Sequence, residues 1–208
     1  MRPEQLPNII TASRIVLTPL FIYLLMSGDG VMVQASAGVF LVAAISDWYD
    51  GWYARKYNAM SSFGRFFDPL ADKVLIGAAF FAFAFLDILS LWMVLAIVGR
   101  DVLVTVLRVI ADRRNQPVVT SNLAKWKTAL QLIFLWYVVL AFTLGNVEWL
   151  REYISPQAIK GLFSPWVITT SMLLLTALSI ITAVQYLIAN RHVLRFIHDK
   201  FIRTSSRA

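Results

Sequence analysis

Four aspartates, Asp47, Asp50, Asp68 and Asp72, stand close together in a chain that is otherwise strongly apolar. Carboxylates at bilayer depth are costly, and they usually face a cavity, a partner or a bound ion. Asp47, Asp50, Gly51 and Ala54 recur at i, i+3, i+4 and i+7, which on a helix is one face. Asp68 and Asp72 recur at i and i+4, with Gly64 one turn earlier. Two helix ends with two carboxylates each offer hard oxygen ligands that suit Mg²⁺ or Mn²⁺ rather than zinc. The set has room for two ions, the arrangement used in phosphoryl-type transfer. The glycines and Ala54 leave space for a phosphate or ribose against the helix backbone. Arg55 supplies a cation for a pyrophosphate. The plain alternative is a set of surface salt bridges with Arg55, Lys56, Arg65 and Lys73.

The elements that must position these residues read as membrane helices. The 208-residue chain is 59% hydrophobic and 15% charged, where ordinary soluble domains are about a quarter charged. Hydropathy predicts an all-α, polytopic membrane protein with six spans, at 9–26, 31–53, 69–86, 91–110, 126–144 and 166–189. A short N-terminal interfacial segment precedes them. No linker, repeat or low-complexity run divides residues 1–208, which read as a single transmembrane domain. The N-terminal apolar run lacks a small-x-small cleavage pattern and reads as a retained first helix. The absence of cysteine excludes disulfides, thiolate metal sites and cysteine nucleophiles.

Lysine and arginine set the orientation. One side carries Arg2, Arg55, Lys56, Arg65, Lys73, Arg113, Arg114, Lys125, Lys127 and the basic tail 191–207, whereas the other carries Arg151 and Lys160. Both termini and the aspartates are therefore expected to face the cytoplasm from the cytoplasmic membrane. The net charge of +7 needs no nucleic acid, because positive-inside topology and anionic headgroups account for it. The tail, with Phe196, Ile197, Phe201 and Ile202 interleaved, reads either as an interfacial amphipathic helix or as a solvated basic tail. The segment 145–165 is expected to lie along the interface. His192 and His198 lie far from the aspartates in sequence and are assigned no metal.

The run from Asp47 through Asp50, Gly51, Ala54, Arg55, Gly64 and Asp68 to Asp72 resembles, at every fixed position, the signature of the CDP-alcohol phosphatidyltransferases. The segment 6–14 resembles the family's N-terminal segment. The run 68–73, Gly99, Arg100, Asp101, Arg108 and the run 125–131 are similar to the phosphatidylglycerophosphate synthase branch. Two positions depart from that branch: Ala124 stands where glycine is often found before the first lysine, and Asp101 where glutamate is common.

The resemblance implies attack by an alcohol hydroxyl on the β-phosphorus of CDP-diacylglycerol, with CMP leaving. It implies that Asp47, Asp50 and Asp68 ligate two divalent ions, and that Asp72 is the general base and also a metal contact. It implies a CDP-diacylglycerol pocket lined by Gly51, Ala54, Arg55, Ser61 and Gly64, approached from the first helix by Asn8, Thr11 and Arg14. A homodimer is the family's expectation.

Arg100, Val104 and Arg108 lie at i, i+4 and i+8 on the fourth span, and Lys125 and Lys127 open the fifth. Arg100, Arg108, Lys125 and Lys127 are the candidate cations for an acceptor phosphate, that of sn-glycerol 3-phosphate. The plain readings are an Arg100–Asp101 structural pair and ordinary positive-inside decoration. Acceptors that remain open are inositol phosphate, phosphatidylglycerol and serine. An intramembrane prenyltransferase and an ion transporter are the rivals from other classes.

Overall fold

Six helices run through the described residues: α1 (Gln5–Leu25), α2 (Gly30–Tyr57), α3 (Gly64–Phe85), α4 (Leu91–Asp112), α5 (Asn122–Gly145) and α6 (Pro165–Ala189). The computed structural model describes residues 5–57, 64–112, 121–147, 161 and 164–191. Over 5–12, 47–55, 57, 64–72 and 112 it describes the helical backbone without side-chain surroundings. Ser61, the histidines, most of the 145–165 connection and all but Arg191 of the basic tail lie outside the described residues.

Each expected span falls on one helix. The helices outrun the expected spans at several ends: α3 begins at Gly64 rather than Pro69, α2 continues to Tyr57, α1 begins at Gln5 and α5 at Asn122. Pro69 therefore lies in the second turn of α3. The polar stretch from Asn8 to Arg14 is continuous with α1. Pro19 sits inside α1, where its ring nitrogen cannot donate to the Ile15 carbonyl.

Close approaches fix which helix ends lie together. The turn at 26–29 carries Gly28 at φ 74°, and the turn at 86–90 carries Asp87 at φ 57°. Asp29 Oδ1 accepts the Val31 and Met32 N–H groups and caps α2. Gly30 opens α2 so close to the C-terminus of α5 that a Cβ there would stand 2.8 Å from the Asn146 carbonyl oxygen. The α3–α4 turn and the start of α6 line one hollow, with Phe85, Asp87 and Ser90 facing Pro165 and Thr169. The ends of α1, α3 and α5 thus meet the starts of α2, α4 and α6. The end of α2 and the start of α3, with all four aspartates, belong to the opposite end.

Gly30→Ala is expected to destabilise the bundle by roughly 1–3 kcal/mol, because the atom in the way is backbone. A lowered midpoint of thermal unfolding in detergent micelles checks this.

The core is aromatic. Phe21, Phe40, Phe80 and Phe83 are fully buried. Phe40 meets Trp136 edge-on at 4.9 Å between ring centroids, and Phe83 meets Phe142 edge-on at 5.7 Å. The tract 80–85 divides: Phe80 and Phe83 pack inward, while Phe85 points out. α1 packs on α2 and α3, α4 on α6 and α3, and α5 on α6 and α2.

The outer surface is apolar as well. Val31, Trp92, Trp126, Ile133, Trp166, Leu174 and Ile188 are exposed. α5 and α6 are each long and apolar enough to cross a bilayer. Among the residues whose side chains are described, α1, α2 and α3 carry apolar stretches at Ser13–Leu25, Gly30–Ser46 and Lys73–Phe85. Arg100, Asp101 and Arg108 interrupt the apolar run of α4.

Candidate active site

α2 is helical through Asp47, Asp50, Gly51, Ala54 and Arg55, and α3 through Gly64, Asp68 and Asp72. The expected i, i+3 and i, i+4 registers are therefore realised on helical backbone. Gly64, Asp68 and Asp72 are spaced one turn apart along α3. Carboxylate oxygens in two pairs are a donor set that fits a hard divalent cation. Asn8 and Thr11 stand on α1, two turns and one turn before Arg14. Arg14 is buried, and Thr18 Oγ1 donates to its carbonyl oxygen at 2.8 Å.

Lys73, the residue after Asp72 on α3, lines a cleft of about 460 Å³. Arg100, Asp101, Val104, Thr105 and Arg108 form its α4 wall, Ala124, Lys125 and Thr128 its α5 wall, and Tyr186 closes it from α6. The α4 wall is the expected stripe. α5 is aimed by its first turn, where the Ser121 hydroxyl accepts the Ala124 N–H at 3.3 Å. Among the described residues four cations and one carboxylate line this space, a balance that favours an anion.

Arg100 is the most informative of them. Its side chain is 9% exposed, and its Nη1 donates to Asp101 Oδ1 at 3.1 Å. Its Nε and Nη2 are buried and have no hydrogen-bond partner among the described residues. Buried donors are satisfied in the great majority of cases. The Nε–Nη2 edge is also the one with which a guanidinium grips an oxyanion through two parallel bonds. The Arg100–Asp101 pair is present as the plain reading had it, and it occupies one edge of the guanidinium.

Lys127 is placed differently from Lys125. Lys125 lines the cleft, whereas Lys127 is fully buried. Its Nζ donates to Asp101 Oδ1 at 2.6 Å and to Gln131 Oε1 at 2.5 Å. It opens the inward stripe of α5, which continues through Gln131, Phe134, Leu135 and Val138. Lys127 thus stands behind the cleft wall. Lys73, Asp101, Thr105, Thr128 and Tyr186 join the site without having been expected as acceptor contacts. Lys73 and Asp101 were in view only as motif neighbours, and Tyr186 carries no local signal because it reaches the cleft through the contact of α6 with α4.

The described residues form an apolar helical bundle with a cationic cleft, beside helices that carry paired carboxylates. The family model for CDP-alcohol phosphatidyltransferases matches residues 4–183. The chain belongs to that family. It is 39% identical over 141 residues to the CDP-diacylglycerol–glycerol-3-phosphate 3-phosphatidyltransferase of Bacillus subtilis (strain 168), covering 62% of this chain and 73% of the relative. The enzyme of the same name from Rickettsia typhi is 37% identical over 137 residues, covering 66% and 77%. A CMP-forming cardiolipin synthase from Oryza sativa subsp. japonica is 35% identical over 141 residues, covering 61% and 43%.

Proposed function

We propose that this chain is a phosphatidylglycerophosphate synthase, a CDP-diacylglycerol–glycerol-3-phosphate 3-phosphatidyltransferase of phospholipid biosynthesis. It transfers the phosphatidyl group of CDP-diacylglycerol to sn-glycerol 3-phosphate and releases CMP. The acceptor hydroxyl oxygen bonds to the β-phosphorus, the bond from that phosphorus to the CMP oxygen breaks, and the hydroxyl proton passes to Asp72. The observation that carries this reading is the Arg100 guanidinium in the wall of a cleft that Lys73 also lines, its buried Nε and Nη2 without hydrogen-bond partners among the described residues. Lys73, Arg108 and Lys125 share that cleft, and a phosphomonoester dianion matches their charge. Serine, a zwitterion without a phosphate, matches that charge less well.

In this reading Asp47, Asp50, Asp68 and Asp72 hold two divalent cations, Mg²⁺ or Mn²⁺, which when bound would neutralise pyrophosphate charge. Asn8, Thr11, Arg14, Gly51, Ala54, Arg55, Ser61 and Gly64 receive the CDP moiety, the small residues by leaving room and Arg55 by its charge. The acyl chains remain in the bilayer. The six helices span the membrane as one domain over residues 1–208, with both termini and the site on the cytoplasmic side. The enzyme works as a homodimer among membrane lipids.

CMP release from CDP-diacylglycerol in detergent micelles with Mg²⁺ tests the reading, with glycerol 3-phosphate, inositol 1-phosphate, phosphatidylglycerol and serine compared as acceptors. Release is expected with glycerol 3-phosphate, to be lost on chelation and restored by Mg²⁺ or Mn²⁺. Release that requires phosphatidylglycerol would move the chain to cardiolipin synthesis. No release with any acceptor would remove the transferase reading.

A further inference from the structure

An acid inside an anion-binding cleft works against the anion unless it has another task. Asp101 is 4% exposed on the α4 wall, and a single oxygen, Oδ1, accepts from both Arg100 Nη1 and Lys127 Nζ. Lys127 is 0% exposed and spends its remaining reach on Gln131. Its charge therefore offsets that of Asp101 from the far side of the wall. Lys73, Arg108 and Lys125 line the same cleft as Arg100. The pair Asp101–Lys127 also bridges α4 and α5, so it ties the two walls at the level of Arg100.

We propose that Asp101 is a positioning residue for the acceptor cleft: backed by Lys127 and Gln131, its carboxylate holds Arg100 by Nη1 so that the Nε–Nη2 edge meets a phosphate oxygen pair. Lys127 is then the counter-charge that lets a carboxylate stand in an anion site, not a phosphate ligand. Among the described residues the hydrogen-bond partners of the device lie on α4 and α5, so it is expected to act on the acceptor rather than on CDP-diacylglycerol. It rests on the acceptor reading above for its substrate, and on the geometry alone for its affinity for phosphate.

Asp101→Asn by itself leaves the Lys127 ammonium buried without its counter-charge, which is destabilising. The decisive protein is therefore the full-length double variant Asp101→Asn/Lys127→Gln, which removes both charges and keeps polar groups in both places. Two readouts are taken in detergent micelles: protection against thermal unfolding by inorganic phosphate, and the separate KM values for glycerol 3-phosphate and CDP-diacylglycerol.

The double variant is expected to fold, to need about 10- to 100-fold more phosphate for equal protection, and to show a similar rise in KM for glycerol 3-phosphate. Its KM for CDP-diacylglycerol and its kcat stay within about 3-fold of the parent, a margin of under 1 kcal/mol at 1.4 kcal/mol per tenfold. Asp101→Glu restores part of the loss. Wild-type phosphate protection in the folded double variant overturns the proposal, and so does a parallel rise in both KM values. If the parent turns over a different acceptor yet loses phosphate protection on double substitution, the functional reading falls and the positioning role stands.

Discussion

The Asp72→Asn variant is expected to lose CMP release by about 10²- to 10⁴-fold, the range that general-base catalysis supplies. Asparagine keeps the shape of the side chain and one acceptor oxygen, but it takes up no proton at neutral pH. The helix needs no rearrangement, since position 72 lies well inside α3. The chain places this residue next to Lys73, the α3 contribution to the cationic cleft. A phosphate held by that cleft brings the rest of a small acceptor toward α3. Binding and chemistry should therefore separate: protection against unfolding by inorganic phosphate is retained while kcat collapses. Kinetics at saturating CDP-diacylglycerol over a Mg²⁺ series distinguish the two tasks given to Asp72. A loss that persists at all Mg²⁺ concentrations assigns it to proton transfer, whereas a loss repaired by excess Mg²⁺ assigns it to metal binding and removes it as the base.

The helix registers and the α4 wall are legible in the sequence, for reasons that differ by residue. The aspartates declare themselves because carboxylates are rare in apolar sequence and their spacing matches the helical turn. The α4 wall is legible for the same reason: Arg100, Val104 and Arg108 are four apart, and all three reach the cleft. Lys127 is the instructive failure. Basic residues at the start of a span look alike when they are read as topology signals. Lys125 and Lys127 are two apart, however, and two residues turn a helix by about 200°, so they cannot share a face. The partner of Lys127 was also legible within α5, since Gln131 lies at i+4 and begins the apolar inward stripe. Its cross-helix partner Asp101 was not, because the contact of α5 with α4 has no local signature. Tyr186 is hidden for the same reason. The helix starts were blurred by polarity: hydropathy opens the third span at Pro69, whereas the backbone is already helical at Gly64.

The largest effect on acceptor binding is expected from Arg100. A guanidinium that is 9% exposed, with one edge tied to Asp101 and the other without partners among the described residues, is a costly arrangement in the absence of an anion. Its replacement should move binding and stability in opposite directions. In Arg100→Gln the KM for glycerol 3-phosphate is expected to rise by about 100-fold, the equivalent of two charge-assisted bonds worth roughly 1.5 kcal/mol each at the lower end of their range. Arg100→Lys keeps the charge but not the bidentate edge, so the rise should be smaller, about 10-fold. Asp101 remains paired with Lys127 in both variants, so neither strands a buried carboxylate. The unliganded Arg100→Gln protein should accordingly unfold at a higher temperature than the parent, while the further gain that the parent shows with added phosphate disappears. Thermal unfolding with and without phosphate measures both. A variant that is less stable without phosphate, yet still protected by it, would make Arg100 a structural cation and leave the acceptor to Arg108 and Lys125.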